Sequence, residues 1–283
     1  MEAGDRELEA AGRKREAGGG PATALARWAR GACPERRRRA QEWTAVLSLL
    51  GGIAAWEIAG RTLGLAFLPP FSAVVSAGAE LVGSAEVRRH LGVSLVSLTI
   101  GFGLAVGLGL PAGAVMGRFR KIEHFFDLYL HALLATPSLI YIPILFAWFG
   151  VGRATQMAVI FLYAFFVIVA NTMAGVRSGD AGLAEMARSF GAGGRQVFFR
   201  VVLPGALPLV MAGLRLGMAR AMKGMINGEM FIALMGLGAL IRTYGGRFDS
   251  VRVLGVLLLI VTVAVLGVGL VQVLERRLTR WAD

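Results

Sequence analysis

Residues 253–274 run without a charged side chain. A helix of that length rises about 33 Å, enough to cross the hydrocarbon core of a bilayer. Five further apolar segments precede it, at 43–60, 90–117, 122–150, 154–176 and 206 to about 235. Hydrophobic residues make up 56% of the chain, and the mean hydropathy is +0.64. The sequence therefore predicts an all-α membrane protein with about six transmembrane helices, since lipid offers the backbone no partner but itself.

The segments differ in kind. At the far end of the first, Glu57 and Arg61 stand four apart and are predicted to pair. Pro69 and Pro70 lead into a short surface helix, about 72–81. In the second, Gly101, Ala105, Gly109, Gly113 and Gly117 recur every four residues, a small-residue face that permits close helix approach, and Pro111 is expected to bend it. Pro137 and Pro143 break the third, because each removes a backbone donor. Discontinuous helices of this kind often line a solute path, and a simple kink packed on its neighbours fits equally well. The fifth is polar for its depth, carrying Arg215, Arg220, Lys223, Asn227 and Glu229.

The net charge of +12 invites a nucleic-acid reading. The basic residues are dispersed between apolar segments, however, so membrane topology and lipid headgroups explain them better and no nucleic-acid partner is expected. With the N-terminus inside, the inner segments hold about 20 Lys and Arg and the outer ones about 7, which places both termini in the cytoplasm. Residues 1–41 read as a disordered basic cytoplasmic tail, not a cleavable signal, with Arg36, Arg37, Arg38 and Arg39 as a topogenic anchor. Residues 42–283 read as one transmembrane domain. The single Cys33 permits no intrachain disulfide, and His90, His124 and His131 form no ligand-like cluster. His124 and His131 flank Asp127, which suits a helix-face contact. No P-loop, nucleophile elbow, metal-ligand pair or catalytic dyad occurs, so no enzyme activity, cofactor or metal is expected in this chain.

A polar interruption, residues 177–205, separates the fourth and fifth segments. Leu183, Met186, Ala187 and Phe190 recur at i, i+3, i+4 and i+7, one face of a short helix that Asp180 can cap and Gly191 can end with positive φ. Residues 195–202 read as a second short helix stopped by Pro204. Periodicity alone fits an amphipathic pair against the membrane or an ordinary connecting loop.

Glu185-Met186-Ala187, then Gly191, then Val201-Val202-Leu203-Pro204 resembles the EAA loop of ABC-importer permeases, with Met186 in place of one Ala. The resemblance covers roughly residues 68–280. Leu68-Pro69-Pro70-Phe71-Ser72-Ala73-Val74, Trp148-Phe149-Gly150, Asn171-Thr172-Met173-Ala174-Gly175-Val176-Arg177 and Glu229-Met230 look like the sulfonate/nitrate/taurine branch.

The resemblance implies a type I ABC importer permease fold in a bacterial cytoplasmic (inner) membrane. It implies a second permease copy in a homodimer, two ABC ATPase subunits binding ATP and Mg, and an external solute-binding protein. The 177–205 loop would be the cytoplasmic coupling loop, with Leu183, Glu185, Met186, Ala187, Phe190, Gly191, Leu203 and Pro204 facing the ATPase or packing on the membrane domain. The alternative from another class is a secondary transporter driven by an ion gradient, but no inverted repeat is visible and acidic residues at depth are scarce. Pro137, Pro143, Lys223, Asn227 and Glu229 are the candidates for the translocation path. Lys223 and Asn227 share a helix face and depart from the family's aliphatic pattern. An anionic solute, such as a sulfonate, nitrate or carboxylate, would compensate Lys223; the other reading is that it pairs with a carboxylate on another helix or snorkels towards an interface.

Overall fold

A computed structural model describes residues 34–179, 181–232 and 235–279. The 1–33 part of the expected tail, Cys33 and the Asp180 cap lie outside them. Residues up to Thr62 form a unit of their own, holding α1 (Pro34–Thr62). The expected first span lies in this helix, and Arg61 pairs with Glu57 at 2.6 Å, as its spacing predicts.

The second unit contains α2 (Phe71–Gly83), α3 (Ala85–Arg118), α4 (Arg120–Ala135), α5 (Tyr141–Phe149), α6 (Arg153–Arg177), α7 (Ala181–Ser189), α8 (Gly194–Val197), α9 (Leu203–Ile232), α10 (Leu237–Gly246) and α11 (Ser250–Leu278). Among the described residues, four helices are long and apolar enough to cross a membrane: α3, α6, the α8–α9 rod and α11. The bent pair α4 and α5 makes a fifth where it counts as one span. Residues 43–60 are not among these.

α6 is the most enclosed span and α11 the least. The small-residue face of α3 packs on α6. A Cβ on Gly101 would meet the Met157 carbonyl at 2.9 Å, and one on Gly113 the Val169 carbonyl at 2.6 Å. α9 approaches α6 in the same way from another side, with Gly213 against Asn171, Gly217 against Ile168 and Gly224 against Tyr163. Leu98, Ala105, Ile160, Ala164, Ile168, Ala221, Met222 and Met225 fill the space between the three helices.

The third apolar segment is discontinuous, as its prolines predict: α4 and α5 meet at 92°. Pro137 cannot donate to the carbonyl of Leu133, and the hydroxyl of Tyr141 donates to that carbonyl instead, at 3.2 Å. Pro143 sits in the first turn of α5, where no donor is missed. Pro111 and Pro208 lie inside α3 and α9. Pro204 behaves differently from expectation. Rather than stopping a helix, it follows a π turn over Phe198–Val202 that joins α8 to α9. A widened turn relieves the clash that a proline ring makes with the carbonyl four residues back, so the helix continues.

Gly113→Ala should lower the unfolding temperature of the purified protein, costing about 1–3 kcal/mol, because the carbonyl of Val169 cannot retreat from a methyl group. Gly107→Ala, where the new methyl meets nothing, should be silent. Thermal denaturation in detergent distinguishes them; equal melting would refute the close-contact account.

Candidate functional site

The polar interruption folds as a short helix, α7, a glycine turn, and α8. Gly191 has φ +83, and the turn closes with its N–H on the Arg188 carbonyl at 2.8 Å and the Ala192 N–H on the Ala187 carbonyl at 3.0 Å. These two bonds define a Schellman motif, whose left-handed residue is most easily glycine. Leu183, Met186 and Phe190 are exposed, Phe190 at 86%, and Glu185 is exposed beside them. Ala187 is half-buried. The expected apolar face is therefore presented outward. Leu203 and Pro204, at the start of α9, are half-buried, while Val197 and Ala206 are buried below them.

The candidates of the fifth segment divide into two places. Lys223 and Asn227 line one groove of about 750 Å³ between α9 and α11, with Gln272 across from them and apolar residues such as Met222, Ile226 and Val265 around. Asn227 also donates to the Tyr163 hydroxyl at 3.1 Å. Lys223 is exposed, and among the described residues it takes part in no ion pair. Arg215, two turns earlier, is bound to Glu275 of α11 at 3.1 Å.

Glu229 does not join that groove. It is fully buried, and three donors converge on it. Ser94 Oγ of α3 donates to Oε1 at 2.6 Å, Gln156 Nε2 of α6 to Oε1 at 2.6 Å, and the Gly238 N–H of α10 to Oε2 at 2.9 Å. Ser94 Oγ in turn accepts from the Leu237 N–H at 3.0 Å, and the Gly236 N–H donates to His90 Nδ1 at 2.9 Å. A Cβ on Gly236, where φ is +107, would lie 2.2 Å from the Glu229 carboxyl carbon. A carboxylate thus ties α9 to α3, α6 and the turn into α10. His90, Ser94 and Gln156 were not singled out for this by the sequence. Their signal is that Ser94 and Gln156 are polar residues inside apolar spans.

Pro137 and Pro143 lie at the α4–α5 break, beside exposed Leu139 and Ile140. The Asp127–His131 contact is a helix-face pair at 3.2 Å. Among the described residues, no three His, Cys, Asp or Glu side chains converge where they could hold a metal ion.

Four packed apolar spans, a broken fifth and an outward-facing loop with the EAA spacing define the permease class of membrane transporter. Residues 105–280 match the family of binding-protein-dependent transport system inner membrane components, and the chain belongs to it. It is a multi-pass permease subunit of an ABC importer, a class that works with a separate ATPase and a substrate-binding protein, and the ion-gradient alternative is set aside. Over 233 residues it is 32% identical to a Bacillus subtilis (strain 168) permease named for aliphatic sulfonate transport, covering 82% of this chain and 84% of that one. Over 221 residues it is 32% identical to the taurine transport system permease TauC of Escherichia coli (strain K12), covering 76% and 80%. An inward-facing structure of the MetNI methionine ABC transporter matches with a TM-score of 0.55 at 21% identity, over 69% of this chain and 94% of the other. That likeness shows the type I permease fold.

Glu229→Ala should destabilise the protein by about 3 kcal/mol, because it strands buried donors from three elements. A drop in detergent melting temperature with α10 more open to hydrogen exchange is the expected outcome. Unchanged exchange in α10 would refute the tie.

Proposed function

We propose that this permease carries a small anion, a sulfonate, nitrate or carboxylate, and that Lys223 meets it. The observation that carries the proposal is the exposed ammonium of Lys223 beside the Asn227 amide in a groove otherwise largely apolar. Lys223 lies nine residues before the end of α9, about 13 Å along the helix axis. A cation at such depth is costly without a counter-charge or water. An anionic solute supplies the first and Asn227 adds a hydrogen bond. The names of the sulfonate and taurine relatives support the same chemistry. In this reading the α4–α5 break at Pro137 and Pro143 also borders the path. Glu229 holds the helices around it.

Coupling would run through the α7–α8 loop, with Leu183, Met186 and Phe190 entering a cleft on the ATPase and Glu185 at its rim. Ala187, Gly191, Leu203 and Pro204 would keep that face in position. Two copies of this chain would enclose the path, two ATPase subunits would bind ATP and Mg, and an external binding protein would deliver the solute. ATP binding would favour one access state by differential affinity, and hydrolysis would release it. The loop and both termini would face the cytoplasm across a bacterial inner membrane, with residues 1–41 as a basic tail and 42–283 as the permease domain.

Lys223→Met should lower uptake of a radiolabelled anion at least tenfold while the complex assembles and hydrolyses ATP, one lost charge-assisted contact being worth about 1.5–3 kcal/mol. Normal uptake, or a cationic native solute found with a solute panel, would defeat the assignment.

Gly191→Val should uncouple transport from ATP hydrolysis without preventing insertion. The new side chain has open space but must hold positive φ. Full transport with normal ATPase stimulation would sink the coupling assignment.

A further inference from the structure

Where α3 ends, α4 begins and α6 ends, a cavity of about 330 Å³ opens against the α7–α8 loop. Four arginines line it: Arg118, Arg120, Arg177 and Arg188. Among the described residues Glu123 is the one carboxylate on its wall, and Arg177 already pairs with it. None of the described ion pairs includes Arg118, Arg120 or Arg188. Three arginines from three elements thus line one space, outnumbering its carboxylate and outside every described ion pair. Such forks suit an anion with several acceptor oxygens, above all a phosphate.

A second feature says what carries the phosphate. Within one turn of Arg118 along α3, an apolar groove of about 350 Å³ begins between α3, α4 and α6. Val115, Met116, Ile122, Phe126 and Phe166 are among its walls. A soluble phosphate has no use for such a groove; an amphiphile has. The place also suits one, since two spans end here and the charged side chains begin, as at a bilayer's headgroup level.

We propose that the arginine pocket holds the phosphate of an anionic phospholipid, with an acyl chain in the apolar groove. Bound there, the lipid touches Arg188 of α7 and the residues around Gly194 of α8, and so fastens the loop to the membrane surface.

The full-length protein, purified in mild detergent, is incubated with phosphatidylglycerol or phosphatidylcholine, and retained lipid is counted by native mass spectrometry. Phosphatidylglycerol should be retained over phosphatidylcholine, and inorganic phosphate in large excess should not displace it. Arg118→Gln and Arg188→Gln should each weaken retention about fivefold, and the triple variant with Arg120→Gln about 100-fold. Arg242→Gln, on α10, should leave it unchanged. These arginines are exposed, so single variants fold; a melting curve without lipid checks it. Equal retention by the triple variant or equal retention of phosphatidylcholine would overturn the proposal. Displacement by inorganic phosphate would also overturn it, by making the pocket a soluble-anion site.

Discussion

Between helices in lipid there is no water to expel, so packing itself must hold them together. In this protein that packing rests on glycine faces. α6 is approached from two sides, by α3 until its carbonyls lie less than 3 Å from where a Cβ on Gly101 or Gly113 would be, and by α9 until its side chains at Asn171, Ile168 and Tyr163 lie as near to Gly213, Gly217 and Gly224. Dispersion contacts gain most where surfaces meet this closely. Three further helices of this unit hang on the trio: α10 is bonded to it through Glu229, α5 packs on Val159 and Tyr163 of α6, and α4 packs on Met116 and Val169.

The same shortage of water governs the polar groups. The Leu133 carbonyl, abandoned by Pro137, takes the Tyr141 hydroxyl. The Glu229 carboxylate takes donors from α3, α6 and α10. In both cases a side chain does what solvent would do in a soluble protein, and each fixes the geometry of a break or a turn. Gly236 is explained by the same carboxylate, which leaves no room for a side chain there, and Gly238 by the Cβ of Glu229 and the α9 backbone at Ile226 and Met230.

Much of this was legible in the sequence because its signals are local. The four-residue spacing from Gly101 to Gly117 named the contact face of α3, Gly191 named its own positive φ, and Pro137 named the break. Arg61 and Glu57 needed only helical spacing. What was not legible depends on residues distant in the chain. Glu229 read as part of a path with Lys223, since nothing local shows that Ser94 and Gln156 enclose it. Pro204 read as a stop, because a π turn is paid out in backbone geometry that no residue type announces. The arginines of the loop region read as topology, and only the fold brings Arg118, Arg120 and Arg188 to one cavity.

The π turn has a mechanical side. Residues Gly194–Phe231 form one helix of 38 residues, about 57 Å long, where the bilayer's hydrocarbon needs only about 30 Å. The loop and the groove at Lys223 are thus two stations on a single shaft. A shaft has no slack: a tilt at one end is a tilt at the other, reversed about whatever pivot the packing supplies. The glycine contacts with α6, at Gly213 and Gly217, sit between the two stations and are the natural fulcrum. The widened turn at Phe198–Val202 lies on the loop's side of that fulcrum, in the longer of the lever's two arms.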